Sequence, residues 1–402
     1  MKQTLFEPRI KKIILLCLLV IGVTAGIILL LIMHRQKLPL AQYHDAATYI
    51  PEHIHICIAD SSQKTMCLKN AAQDFTDRYD LPQMLQVFEQ NESKKDFFES
   101  CHETLHFVGR DEFEKIKNVS AALSAGNPVC FAGYYHGVLE AYLIAKHLTP
   151  GEATEQQLQA EIPGLCQKPS SGQTKDYNEC LHGLGHSLMF ATDSNLPVSL
   201  KLCDTLEGDS DQQWCYSGVF MENSTSSTNP DHPNQYLKKD DPMYPCDTLD
   251  AKYLTMCYTL QSFYLAQLSN FDWPTTMDWC RKVPSSYRGG CFNAVGQNQV
   301  GFTQDYQVMI KNCALVTELE YHISCIQGVV GALHDRYNDG PKKMVEVCNI
   351  LDISLQPACF ERTISIIKSL DSAKPQASMI CSEISSATYK EHCVAALGKP
   401  SQ

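Results

Sequence analysis

The chain has 402 residues, a formal net charge of −12 and 19 cysteines. The acidic balance excludes the basic footprint that nucleic-acid binding demands. Such a cysteine load excludes an ordinary protein of a reducing compartment, where disulfides do not persist.

The first element is an apolar run, residues 13–33 (IILLCLLVIGVTAGIILLLIM). It is uncharged and long enough to cross a bilayer as one helix, and longer than the apolar core of a cleaved signal. Lys2, Arg9, Lys11 and Lys12 precede it, against Arg35 and Lys37 just after. The positive-inside bias therefore predicts a short cytoplasmic tail (1–12), a membrane anchor (13–33) and a juxtamembrane linker (34–56). Everything beyond would lie outside, in the extracellular or periplasmic space. Cys17 falls within the span, which leaves an even eighteen cysteines on the exported side. No C-x2-C occurs, so the cysteines read as disulfides rather than as zinc ligands.

The region 57–190 follows next. Cys57 with Cys67 and Cys101 with Cys130 are its first pairs, the second enclosing an expanded unit. Three segments here carry the candidate chemistry. They are Cys101-His-Glu-Thr-Leu-His106-Phe-Val-Gly-Arg110, Cys130-Phe-Ala-Gly-Tyr-Tyr-His136-Gly-Val-Leu-Glu140 and Cys180-Leu-His-Gly-Leu-Gly-His186. Each holds an i, i+4 pair: His102 with His106, His136 with Glu140, and His182 with His186. On a helix the members of such a pair stand one above the other, about 5–6 Å apart at Cβ, so both can reach one ion. His136 and His186 each stand six residues past a cysteine, which predicts equivalent faces on neighbouring helices.

From Cys166 onward the cysteines keep a beat: Cys166 with Cys180, Cys203 with Cys215, Cys246 with Cys257, Cys280 with Cys291, Cys313 with Cys325, Cys348 with Cys359, and Cys381 with Cys393. Self-similarity at a near-constant period marks a repeat architecture. Pro197, Pro274, Pro341 and Pro375 stand six or seven residues before a first cysteine, where proline suits the start of a helix. The expected unit is a short helix ending at its first cysteine, a polar loop of about ten residues, and a second helix opened by the second cysteine, with the disulfide clamping the hairpin. Gly133, Gly183, Gly218 and Gly328 recur three residues past the second cysteine, where close packing would exclude a side chain; Gly296 breaks that phase. A polar stretch, 223–245, lengthens one interval in the C-terminal repeats (191–402). Asn91, Asn118 and Asn223 open glycosylation triplets where the host glycosylates.

The predicted fold is thus all-α: a right-handed-type α/α-repeat solenoid of disulfide-clamped helical hairpins after one transmembrane helix. In repeat length, two helices per unit and a cysteine pair per unit, residues 57–393 resemble the disulfide-bridged Sel1-like repeats, relatives of the tetratricopeptide solenoids. The Trp-Leu-Gly-Tyr…Ala…Phe…Pro signature of tetratricopeptides is absent. The resemblance implies architecture alone.

Functionally, the three pairs predict a divalent-metal site, with zinc first and iron, manganese or copper as alternatives. His102, His106, His136, Glu140, His182 and His186 are the candidate ligands. Glu140 and Glu103 are the candidate general bases, and Arg110, Tyr134 and Tyr135 the candidate substrate contacts. The leading expectation is a metal-dependent enzyme, by default a hydrolase. The rivals are a non-enzymatic interaction scaffold, with a protein or small molecule on the inner face, and a metal capture or delivery protein. A hydrogen-bonded packing seam or unrelated surface histidines would also account for the motifs.

Overall fold

The computed structural model describes residues 45–59, 62–91, 94–127, 129–168, 175–225, 234–303, 305–337, 339–369 and 375–397. The expected anchor at 13–33 and its flanking tail lie outside the described residues, as does Cys17. Among the described residues no helix is long and apolar enough to cross a membrane. Contacts divide the chain into Met1–Tyr49 and Ile50–Gln402, and the second unit carries the three histidine segments.

Every regular element among the described residues is helical. Helix α1 (Ala46–Ala59) is followed by α2 (Lys64–Arg78), α3 (Leu81–Asn91), α4 (Lys95–Ile116), α5 (Val119–Ala125), α6 (Val129–Ala145), α7 (Glu155–Glu161) and α8 (Lys175–Ala191). Next come α9 (Leu196–Cys203), α10 (Asp209–Thr225), α11 (Ala251–Leu268), α12 (Trp273–Lys282), α13 (Ser285–Val300) and α14 (Tyr306–Cys313). The chain closes with α15 (Leu319–Arg336), α16 (Gly340–Ile350), α17 (Gln356–Ser369), α18 (Pro375–Ser382) and α19 (Ala387–Leu397). The longer helices pack in chain order: α4 on α6, α6 on α8, α8 on α10, α10 on α11, α11 on α13, α13 on α15, α15 on α17 and α17 on α19.

Local signals account for the short helices. Asn195 and Asp272 cap α9 and α12 with their side chains, and a proline stands in the first turn of each. Asp305 caps α14, and Thr154 with Gln157 forms a capping box at α7. Each cap satisfies backbone N–H groups that the helix leaves open and contributes about 1 kcal/mol. Such short helices remain marginal alone, so the staples matter.

Nine disulfides join sequential cysteines from Cys57–Cys67 to Cys381–Cys393, with Cα atoms 5.3–5.7 Å apart. From Cys203 onward their cysteines are fully buried and belong to one apolar core running from Leu139 to Cys393. Each short loop adds about 2–4 kcal/mol by the loop-closure model.

Two local expectations are corrected. From Cys180 onward the second helix of a unit does not open at its cysteine, whereas Cys130 is the second residue of α6. Cys215, Cys257, Cys291, Cys325 and Cys393 are each the seventh residue of theirs. Cys180 is the sixth residue of α8. Cys359, bonded to Cys348 as expected, is the fourth residue of α17, so that helix also starts ahead of its cysteine. The residues before these cysteines are helical first turns, not loop; they read as loop because most of them are polar. Two of the glycosylation asparagines also fall in packed positions. Asn223 is fully buried, and Asn91 is buried with its amide donating to Val87 O, so neither presents an amide for a glycan.

Candidate metal centre

Helices α4, α6 and α8 carry the histidines, and glycine brings these helices together at the histidine-bearing turns. A methyl group on Gly137 of α6 would lie 1.9 Å from His106 O, and one on Gly133 2.4 Å from His102 O. On α10, a methyl on Gly218 would lie 1.9 Å from His182 O, and one on Gly183 of α8 would press 3.2 Å from the His136 ring. Backbone therefore rests on backbone beside each histidine pair. Side chains that would otherwise be held apart are forced into one place.

The five imidazoles meet there. His102 and His106 approach Nε2 to Nε2 at 3.1 Å, and His106 Nε2 lies 3.1 Å from His136 Nδ1. His182 and His186 approach Nε2 to Nε2, also at 3.1 Å. The His136 ring stacks on His186 with centroids 4.0 Å apart. Ligand atoms of His102, His106 and His136 lie within 4.8 Å of one another, as do those of His136, His182 and His186. Two groups of three thus share one residue. His136, His182 and His186 are buried, and His102 and His106 are half-buried, which removes the reading as unrelated surface histidines.

The hydrogen-bond network assigns the tautomers. Ser217 spends its hydroxyl proton on Trp214 O, so its oxygen accepts from His182 Nδ1–H at 2.8 Å. The Glu222 carboxylate accepts from His186 Nδ1–H at 2.7 Å. Cys130 O accepts from His102 Nδ1–H at 2.9 Å, and the Glu140 carboxylate stands 3.4 Å from His106 Nδ1. Each proton on Nδ1 leaves Nε2 as a bare lone pair. Within each pair, then, two lone pairs face each other across a hydrogen-bond distance. Neutral imidazoles alone do not satisfy this arrangement; a cation between them, proton or metal ion, does, and orienting partners on the far nitrogen are the normal support of a metal-bound histidine.

Three of the five rings hold a proton poorly. Burial, then the charge His106 would impose, pushes the His102 pKa down to about 3. Burial and the neighbouring imidazoles hold His136 and His182 well below the ordinary histidine value. All three are neutral near pH 7, the state a metal requires. Burial alone would raise the Glu140 pKa, but His106 and Arg110 outweigh it and lower it to about 2. It is a carboxylate at neutral pH.

Comparison with protein families, with curated proteins and with solved structures finds no match to this chain. A cluster of imidazoles without sulfur suits zinc, copper, iron or nickel.

The other expected site residues take different places. Glu140 belongs to neither group of three. It sits behind His106, and its carboxylate accepts from both Arg110 Nη2 and Arg110 Nε, the latter at 2.9 Å. Arg110 is thereby a partner of Glu140 at the rim. Glu103 is half-buried on α4. Tyr134 is a core residue whose hydroxyl donates to Ala122 O. Tyr135 lines a cleft of about 200 Å³ with Ser120, Leu123, Ser124, Leu165, Gln167, Tyr177 and Cys180, and none of the five histidines lines it.

Glu222 and Ser217 are the partners of the cluster that reading the motifs missed. Both lie on α10, which has no histidine. A signal for Glu222 exists in the repeat register. Gly137, which packs on His106, stands seven residues past Cys130, and Glu222, which meets His186, stands seven past Cys215.

Proposed function

We propose that this chain is a metal protein of an oxidising, extracytoplasmic compartment that holds a divalent transition metal, zinc first, on its clustered histidines. The observation that carries this reading is the pairing of bare Nε2 lone pairs at 3.1 Å, each Nδ1 being committed to a carboxylate, carbonyl or hydroxyl partner. His102, His106, His136, His182 and His186 are the ligands. Glu140, Glu222 and Ser217 fix their orientation. The disulfides support the compartment. The stapled hairpins form a right-handed-type α/α solenoid tethered by a single anchor at 13–33, N-terminus inside.

Catalysis belongs to the half-exposed side. A centre with three protein ligands keeps an open position, the arrangement of catalytic zinc. A metal there would polarise a substrate or activate water at neutral pH, and hydrolysis is the reaction proposed. The His106 side chain, 18% exposed, with Arg110 at 36%, marks the direction of approach. The second reading, metal capture or delivery, is favoured by the burial of His136, His182 and His186. An interaction scaffold without metal is the remaining alternative.

Elemental analysis of the purified full-length protein tests the core claim. At least one zinc, copper, iron or nickel ion per chain, lost in a His106→Ala, His186→Ala double variant that keeps its helical content, is the expected result. Metal-free protein after growth and titration with each metal would leave the scaffold. Turnover of generic ester, phosphoester or peptide substrates by the metal-loaded protein separates enzyme from carrier.

A further inference from the structure

The centre has more ligands than one ion can use in the positions they occupy. The ligand atoms fall into two groups of three that share His136, with His102 and His106 on one side and His182 and His186 on the other. Each outer pair has its own pair of lone pairs at 3.1 Å and its own carboxylate, Glu140 behind His106 and Glu222 behind His186. The arrangement is duplicated, not shared. Only the middle residue is common.

His136 has the geometry to serve both groups. Its Nδ1 lies 3.1 Å from His106 Nε2, facing the first pair. Its Nε2 is buried without a hydrogen-bond partner, and the ring lies against His186 and His182, with centroids 4.0 and 5.9 Å away. A buried imidazole nitrogen left unpaired costs about 1–3 kcal/mol. Every other histidine of the cluster has a hydroxyl, carbonyl or carboxylate partner on one nitrogen; His136 has none on either. Nδ1 faces His106, and Nε2 is left unpaired on a ring that belongs to the second group as well.

We propose that the cluster holds two transition-metal ions bridged by His136. His102, His106 and His136 Nδ1 bind one, and His136 Nε2, His182 and His186 bind the other. This rests on the metal-binding reading above and adds to it the number of ions and the bridge. Binding of both ions displaces the one N–H proton of His136, which passes to solvent, so the bridging ring is an imidazolate. With metal–nitrogen bonds of about 2.0–2.1 Å on either side of the ring, the ions stand roughly 6 Å apart. The outer ion is reachable by solvent past His106, while the inner ion is enclosed. The pair therefore divides into an accessible centre and a buried one that tunes it through a single ring.

Copper(II) makes the test direct, since two copper(II) ions joined by an imidazolate couple their spins. The full-length protein is stripped with chelator, titrated with copper(II), and followed by elemental analysis and electron paramagnetic resonance. Two ions per chain are expected, with a resonance intensity well below that of two isolated ions. His102→Asn with His106→Gln, and separately His182→Asn with His186→Gln, should each keep one ion and regain the full signal of one. His136→Gln should abolish the coupling. One ion per chain in the unaltered protein overturns the two-ion proposal and leaves the metal-binding reading standing. Two ions with full, uncoupled signal, or coupling that survives in His136→Gln, overturns the bridge. No bound ion overturns the metal-binding reading as well.

Discussion

Helices α8 and α10 and helices α13 and α15 are built on the same backbone contact but carry different side chains. A methyl on Gly185 would meet Cys215 O at 2.1 Å, and one on Gly296 would meet Cys325 O at 2.0 Å. Methyl groups on Gly218 and Gly328 would each lie 1.9 Å from a carbonyl, that of His182 in one pair and of Asn293 in the other. Asn293 and Gln297 occupy the register of His182 and His186. Those amides complete each other, Gln297 Nε2 donating to Asn293 Oδ1 at 2.7 Å and Asn293 Nδ2 donating to Ser324 O at 3.1 Å. At the register of Glu222, α15 has Ala332. The glycine contact thus does not require histidine, and a polar pair there is self-sufficient when it is an amide pair. The imidazoles are a separate provision laid on a shared packing device.

Converting one pair into the other carries the largest expected effect. His182→Asn with His186→Gln should abolish metal binding by the inner group while moving the melting temperature by only a few degrees, as read by elemental analysis and thermal unfolding. Loss of the fold instead would make the imidazoles structural and void the contrast. Next in size is the glycine contact itself. Gly218→Ala and Gly328→Ala should each destabilise the protein by about 1–3 kcal/mol in chemical denaturation, because backbone must move. Only Gly218→Ala should also weaken metal binding. Glu222→Gln should leave stability nearly unchanged and lower metal affinity by about 10–100-fold in competition titrations with a chelator.

A further effect is one of pH. His102, His136 and His182 bind protons more weakly folded than unfolded, so the unfolded chain takes up more protons on acidification. Stability of the metal-stripped protein should therefore be full above the unfolded histidine pKa near 6.5 and fall as pH drops below it. For His102 the loss continues to about pH 3. Each such histidine contributes a slope of up to about 1.4 kcal/mol per pH unit. The His182→Asn, His186→Gln variant should show a shallower slope, since amides do not titrate. Equal slopes would mean that His182 is not held neutral by burial.

The disulfide frame and the helical content were legible in the sequence because cysteine spacing and helical period are local properties. The meeting of His136 with His186 was legible for the same reason: both count six from a cysteine. What the pattern hid was tertiary. The first turns ahead of Cys215 or Cys291 are largely polar because they face outward, so they read as loop. Glu140 lies at ligand spacing from His136, yet the crossing of α6 over α4 turns it toward His106 and Arg110. Tyr134 and Tyr135 sit beside the motif but point into the core and a neighbouring cleft. Gly296 is out of phase only because it belongs to the first helix of its pair, where Gly185 stands at the same count from its cysteine. Glu222 was hidden because its partner is on another helix.

From Cys57 onward, each cysteine is bonded to its immediate neighbour in the sequence. This order has a consequence for how the chain is made. A polypeptide delivered to an oxidising compartment in the order of its synthesis presents its thiols one after another, and domains generally fold as they emerge. Here the correct partner of the first thiol in each pair is always the next to arrive, and no native bond has to wait for a distant segment. Oxidation in order of arrival reaches the native connectivity without reshuffling, so biogenesis of this molecule needs an oxidant but little isomerase.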